Sequence, residues 1–335
     1  MKGRILLLMT PHYSIYQNII KNLELMGYEV LYFESVYTGF KYKNWFQKLT
    51  NFIRKTFLND KNYKKQLKES HLEKSLVTLL DCPENYFDYT LVIRPDAYTP
   101  KMMEYINKIS KKTIAYQWDG MKRFQHSEAL IDSFDVFGVF DSNDFEVYSI
   151  KHKNLFLTHN FYFDFVSVPQ AKTIDLCYIG AEQNDRVQII NYISSLTNAT
   201  DFVSYFRIYT ERRSFNQESP IIINNKLLSY QEVERISSQS RCILDIKFHA
   251  HDGLSFRFFE ALHFSQKTIT DNPTVKNYDF YHPNNILVVE DWFKLTKEQL
   301  ASFLEKPYTE IPECVKSKYS FEEWFKTIIS IETDY

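Results

Sequence analysis

Residues 3–33, GRILLLMTPHYSIYQNIIKNLELMGYEVLYF, decide the fold class. Residues 4–9 form an apolar run closed by Thr10-Pro11, the pattern of a strand covered on both faces. Ile15, Ile19, Ile20, Leu23 and Met26 then recur at helical spacing, and Gly27 stands where a helix commonly stops. Residues 28–33 return to strand. A strand–helix–strand opening of this kind makes a parallel sheet the natural reading.

The same rhythm continues outward from this unit. Strands are expected at 89–93, 113–117, 135–140 and 155–158, with a helix at 102–109. Residues 159–169 lack clean periodicity and read as a linker. A second series follows, with strands at 174–179, 202–208, 242–246, 267–270 and 286–289. Its helices are expected at 186–196, 231–238, 256–263, 297–304 and 321–329. The expected fold class is α/β: two Rossmann-like, doubly wound parallel-sheet domains facing a central cleft. The first domain spans 1–165 with a basic helical insertion at 41–80, and the second spans 166–318. A terminal helical segment, 319–335, is expected to pack back on the first domain.

Composition removes several functions. The chain has 335 residues, 44% hydrophobic and 24% charged, so it can bury a sizeable core and is not disordered. A net charge of −2 argues against a protein built overall to coat nucleic acid. There are only seven glycines, and the nearest pair, Gly27 and Gly39, are twelve apart, so neither a G-x-G-x-x-G turn nor a P-loop can be written. No D-x-D occurs either, which weakens any scheme in which paired carboxylates hold a metal. Cys82, Cys177, Cys242 and Cys314 are widely spaced, which suits a reducing compartment. The five apolar residues 5–9 are too few for a signal-peptide core or a spanning helix, so a cytoplasmic protein is expected.

Residues 41–74 stand apart. They carry ten basic and three acidic side chains, +7, against −9 for the remainder. Trp45, Leu49, Phe52, Ile53 and Phe57 fall near one helical face, with Lys48 and Lys55 elsewhere on the wheel. Two readings follow: a helix lying peripherally on an anionic membrane surface, or an insertion whose aromatic face packs on its own domain.

Open parallel sheets bind ligands beyond the carboxyl ends of their strands. The candidates there are 10–13, 94–96, 118–120 and 141–144 in the first half, and 180–186, 209–213, 248–257 and 270–272 in the second. Residues 249–262, HAHDGLSFRFFEAL, are the densest. Gly253 permits a tight turn, and Ser255 is placed to cap the next helix, whose amides then point at an anion. Arg257 and Glu260 are neighbours on one helical face. A guanidinium there can hold phosphate oxygens and a carboxylate can accept from vicinal hydroxyls; the same spacing also suits an ordinary surface ion pair.

GLSFRFFEAL at 253–262, followed by TITDN at 268–272, resembles the C-terminal signature of GT-B glycosyltransferases, specifically the CgeB-like group related to glycosyltransferase families 1 and 4. DLCYIGAEQNDR at 175–186 looks like the opening of that family's nucleotide-binding domain. Residues 116–119, 134–148 and 155–164 look like its strand end and its run into the hinge, though His159-Asn160 stands where the family has a proline. The resemblance implies a GT-B glycosyltransferase (a hexosyltransferase-like enzyme) that uses a nucleotide-sugar donor and no metal or other cofactor. Gly180, Arg186, Tyr209, Gly253, Ser255, Arg257, Glu260 and Asp271 would bind the donor, with Glu260 on the ribose and Arg257 or Arg186 on the pyrophosphate. The first domain would then serve a glycan or glycolipid acceptor. The Lys-, Asn-, Phe- and Tyr-rich usage, which suits an AT-rich bacterial genome, together with the basic segment 41–74 points to bacterial surface polysaccharide or lipopolysaccharide biosynthesis at the inner face of the cytoplasmic membrane, with no nucleic-acid partner.

If the reaction inverts the anomeric centre, a general base must take the acceptor's proton. Asp119 is the first choice and His12 the second; each could equally serve a turn or a backbone carbonyl. Two rivals remain. One is a non-catalytic GT-B module that binds nucleotide or glycan. The other is a metal-dependent hydrolase that uses His249, His251 and Asp252.

Overall fold

In the computed structural model, β1 (Gly3–Met9) is buried over its last five residues. It pairs in parallel with β2 (Tyr28–Glu34) on one side and β3 (Tyr89–Ile93) on the other, α1 (Ile15–Leu25) making the first crossover. The structure describes residues 2–11, 14–34, 40–60, 62–165, 171–183, 185–198, 201–212 and 221–332. The insertion forms α2 (Trp45–Phe57) and α3 (Asn62–Leu79). Beyond β3 come α4 (Pro100–Ile109), β4 (Thr113–Gln117), β5 (Val136–Val139), α5 (Ser142–Tyr148) and β6 (Leu155–Leu157). These strands form an all-parallel six-stranded sheet of order β2-β1-β3-β4-β5-β6.

The second sheet is built from β7 (Ile174–Ala181), β8 (Ser204–Tyr209), β9 (Ile222–Asn224), β10 (Ser240–Asp245), β11 (Lys267–Thr270) and β12 (Ile286–Val288). Its order is β12-β11-β10-β7-β8-β9, again all parallel. Helices α6 (Arg186–Thr197), α7 (Tyr230–Ser238) and α8 (Phe256–His263) connect its strands. The chain therefore has two doubly wound α/β domains. In each sheet the strand order reverses once, between β1 and β3 and between β7 and β10, and a crevice opens beyond such switch points.

After α9 (Lys297–Glu305) and the short α10 (Glu313–Lys316), α11 (Phe321–Ser330) returns to the first domain. Phe321, Trp324, Phe325 and Ile328 repeat at i, i+3, i+4 and i+7 and pack in one core with Ile5, Leu7, Leu91 and Ile114. At about 2 kcal/mol for each large side chain removed from water, this contact is a major clamp on the terminal segment.

Four expectations are corrected. Residues 160–163 are not a loose linker: Asn160, Phe161, Tyr162 and Phe163 are buried, and Phe161 packs against Trp324 and Phe321. The aromatic face of α2 does not pack on its own domain, because α2 buries none of its residues, whereas α3 buries Leu72 and Leu76. The short α5 and β9 are additional elements, too short or too polar to announce themselves by periodicity. Gly253 serves no left-handed turn; a Cβ there would lie 2.4 Å from Phe140 Cδ2 and 2.8 Å from the Phe140 carbonyl oxygen, so the glycine is needed for close approach of the two domains.

Candidate nucleotide-binding cleft

The loop between β10 and α8 is pressed against the first domain. Asp141 accepts from the Asp252 amide at 2.8 Å, and Asn143 donates to the Asp252 carboxylate, which also pairs with Lys247. Asn160 accepts from the Tyr116 hydroxyl at 2.7 Å and donates to the Leu254 carbonyl at 2.9 Å. Asn160 thus ties β4 to the opposite lobe. Trp118 and Phe161 meet Phe256 edge-on across the same boundary.

Beside this seam lie two adjoining cavities of about 380 and 190 Å³. Asp119, His251, Ser255 and Arg257 line both and form the waist between them. The larger is mainly apolar, with Ile15, Phe140, Leu228 and Phe256 among its walls and Arg207, Tyr209 and Lys226 at its polar end. The smaller holds Arg123, Arg186, Lys247 and Arg257 against Asp119 and Asp245, an excess of positive charge.

The geometry at the waist follows from the switch point. Arg257 donates to Asp245 on β10 at 3.3 Å and to the Ile179 carbonyl on β7 at 2.7 Å. Arg186 reaches the carbonyls of Ala181 at 3.5 Å and Ile246 at 3.2 Å, bridging the same two strand ends. Two guanidiniums therefore straddle the point where the sheet reverses, next to the N-terminus of α8. Ser255 occupies the N-cap position but makes no side-chain cap; its hydroxyl donates to Asp245 at 2.5 Å instead. The uncapped amides at this helix end carry partial positive charge. An anion placed here would meet both arginines and the helix terminus.

The other candidate residues fall at different distances from this centre. Gly180 lines the larger cavity, and a Cβ on it would come within 2.5 Å of the Tyr178 hydroxyl, so its first service is to make room for that buried ring. Glu260 is not among the lining residues. Its Oε1 accepts from the Tyr230 hydroxyl at 2.5 Å, and Tyr230 itself faces the larger cavity. Burial pushes the Glu260 carboxyl above its ordinary range, while Tyr230 and Arg257 pull the other way. Asp271 also lies outside both cavities, accepting from the Lys247 amide at 2.7 Å. Asp119 lies at the waist, 3.3 Å from Arg123 and 4.0 Å from Arg94. His12 lies outside the described residues.

The trio suggested for a metal is not assembled into a site. His249 is exposed, Asp252 is engaged by Lys247 and Asn143, and His251 Nδ1 lies 3.1 Å from the Gly253 carbonyl. Burial lowers the His251 pKa, against the pull of Asp119 and Asp141. Among the described residues no group of three or more His, Cys, Asp or Glu side chains is placed to hold a metal ion.

Several lining residues escaped the sequence reading. Arg207 bonds Asn224 at 3.0 Å and the Lys226 carbonyl at 3.1 Å, and it brings residues 226–228 to the cavity. Its signal was a lone charge inside an otherwise apolar strand. Lys247 and Arg123 gave none, because each is an isolated charge in a loop beside the strand ends and only the fold turns it into the smaller cavity.

No family model matches the chain, and no curated protein matches its sequence. Solved structures match its fold. An α-glucosyltransferase in complex with UDP and a 13-mer DNA containing a central A:G mismatch aligns with a TM-score of 0.59 at 13% identity, over 98% of this chain and 100% of that one. MnaA of Staphylococcus aureus with UDP aligns at 0.52 and 12% identity, covering 99% and 100% of the two chains. UDP-GlcNAc 2-epimerase of Methanocaldococcus jannaschii, with UDP-GlcNAc and UDP, aligns at 0.50 and 12% identity, covering 94% and 97%. At such identities the likeness is one of fold: two Rossmann-like lobes in the GT-B arrangement.

Proposed function

We propose that this chain is a glycosyltransferase that moves a sugar from a nucleotide-activated donor to an acceptor hydroxyl. The observation that carries the reading is the pair Arg257 and Arg186, set across the β7/β10 switch point inside an interlobe cleft. The donor's nucleoside fits the larger, apolar-walled cavity between Tyr209, Leu228 and Tyr230, its diphosphate the waist, and its sugar the smaller one. Glu260 shapes the ribose end through Tyr230. Structures of the same fold with UDP or UDP-sugar bound support a donor of that class.

The chemistry follows from charge. As the anomeric carbon–oxygen bond breaks, the electron pair leaves with the diphosphate, whose growing charge the guanidiniums and the α8 amides stabilise. The acceptor oxygen bonds the same carbon, and for an inverting reaction its proton passes to Asp119. The missing D-x-D favours charge neutralisation by these side chains rather than by a metal. The ordered motifs at 175–186, 253–262 and 268–272 favour the CgeB-like group, and with it a glycan or glycolipid acceptor of the bacterial cell surface.

The test is calorimetric titration of UDP, GDP and CDP and their sugar conjugates into the wild type and Arg257→Ala, followed by turnover of whichever donor binds. One nucleotide class should bind. Arg257→Ala should weaken it by roughly ten- to a hundred-fold, the worth of hydrogen bonds from a charged group, about 1.5–3 kcal/mol. Undiminished binding to the variant, or none to the wild type, would refute the site. Binding without sugar release or transfer would leave a non-catalytic nucleotide-binding module.

A further inference from the structure

Helix α2 is mounted with its polarity reversed. At about 100° per residue, Phe52, Trp45, Leu49, Ile53, Phe46 and Phe57 occupy one arc of about 140°. On an ordinary surface helix that arc faces the protein. Here it faces solvent: Trp45 is 64% exposed, Phe52 59% and Phe57 74%. The residues turned toward the molecule are polar. Gln47 accepts from the Lys43 amide at 2.8 Å, and Arg54 pairs with Asp60 at 3.3 Å and covers the Tyr63 ring of α3. Among the described residues, seven of the exposed large apolar side chains crowd into residues 45–58. A contiguous exposed patch of this size marks a surface that is covered in use.

The charge pattern says by what. Lys48 and Lys55 are exposed and flank one edge of the apolar arc, and Lys41 and Lys43 precede the helix on the same exposed segment. Within the +7 segment 41–74, α2 itself carries Lys48, Arg54 and Lys55 and no acidic side chain, so its charge is of one sign. An isologous contact between two copies of α2 would set like charge against like charge. A nucleic-acid backbone would take the lysines and leave the aromatics in water. An anionic bilayer surface satisfies both halves, receiving the apolar arc at the acyl boundary and the lysines at the headgroups.

We infer that α2 is a membrane-surface anchor, lying in the plane of a leaflet rich in anionic lipid. No helix among the described residues is long and apolar enough to cross a membrane, so the attachment is peripheral and reversible. The inference is independent of the proposed reaction.

The experiment is flotation of the full chain with vesicles of phosphatidylcholine alone, and of phosphatidylcholine and phosphatidylglycerol in equal parts, at low and high salt. The wild type should float only with the anionic vesicles, and less at high salt. Lys48→Ala/Lys55→Ala should partition roughly thirty-fold more weakly, about five-fold per lysine. Trp45→Ala/Phe52→Ala should lose binding while keeping its circular dichroism and nucleotide affinity, because both side chains are exposed. Failure of the wild type to float, equal flotation with both vesicle types, or binding retained in both variants would overturn the inference. So would capture of duplex DNA in preference to anionic vesicles, or a stable dimer abolished by Trp45→Ala/Phe52→Ala.

Discussion

Replacing Gly253 by alanine tests how the lobes are joined. The added Cβ would lie 2.4 and 2.6 Å from Phe140 Cδ2 and Cε2, and 2.8 Å from the Phe140 carbonyl oxygen. Ordinary carbon contacts are about 3.5–4.0 Å, so roughly 1 Å of separation is needed. The ring is 4% exposed and packed on His251 at 4.8 Å, so moving it toward the larger cavity gives up that contact. The carbonyl belongs to the backbone one residue past β5, and a backbone atom yields less readily than the end of a side chain. The 249–254 loop must therefore retreat, stretching the Asp252-to-Asp141 and Asn160-to-Leu254 hydrogen bonds. Overpacking costs about 1–3 kcal/mol and a weakened hydrogen bond about 0.5–1.5, so unfolding free energy should fall by about 2–4 kcal/mol. Urea unfolding followed by tryptophan fluorescence measures this, and nucleotide titration should show a parallel loss because Ser255 and Arg257 follow on the displaced loop. Combining Gly253→Ala with Phe140→Ala should recover only part of the deficit, since the carbonyl clash persists. Unchanged stability and affinity in Gly253→Ala would mean that the lobes do not meet as described.

Asp119→Asn keeps the shape of the waist but removes the carboxylate; if it takes the acceptor's proton, kcat should fall by about 10²–10⁴ with nucleotide affinity within a factor of two to three, and an unchanged kcat would dismiss it as base. His263, stacked on Tyr162 at 4.4 Å, is held down at about 4 by burial, with Lys316 adding to the effect. The unfolded chain then binds this proton between pH 4 and 6.5 while the folded chain does not, so stability is lost as pH falls through that window, by up to about 3 kcal/mol. His263→Gln should flatten that part of the stability profile, and an identical acid slope in the variant would refute the assignment.

The legible part of the fold was carried by strands covered on both faces. Residues 89–93, 113–117 and 267–270 emerge with the boundaries expected of them, because each is a short run closed by a turn signal, Arg94-Pro95, Asp119-Gly120 and Asp271-Asn272-Pro273. Helices opened by a capping box were similarly plain, as at Tyr230–Ser238 and Lys297–Glu305. Elements of three to seven residues with mixed polarity, β9 and α5, had no period long enough to register. Residues 160–163 misled for a related reason: their burial is supplied by α11, more than 150 positions away, and local composition carries no trace of it.

For the site, the types of residue were readable and their partners were not. Arg257, Arg186, Ser255 and Asp119 were reachable from strand ends and helix starts, since these positions follow from chain order in a doubly wound sheet. Glu260 illustrates the opposite case. Its spacing from Arg257 suited either a ribose-binding carboxylate or an ordinary ion pair, but the fold brings Tyr230 from α7 to the carboxylate and sends Arg257 to Asp245.

Chain order and apolar pattern alone determined the two parallel sheets, because burying strands joined by crossover helices leaves few other arrangements. Only the tertiary structure decided which charges share a cavity, that Gly253 is there for Phe140, and that α2 turns its aromatic face outward. Those depend on contacts between segments far apart in the chain, where the identity of a residue does not reveal what it will meet.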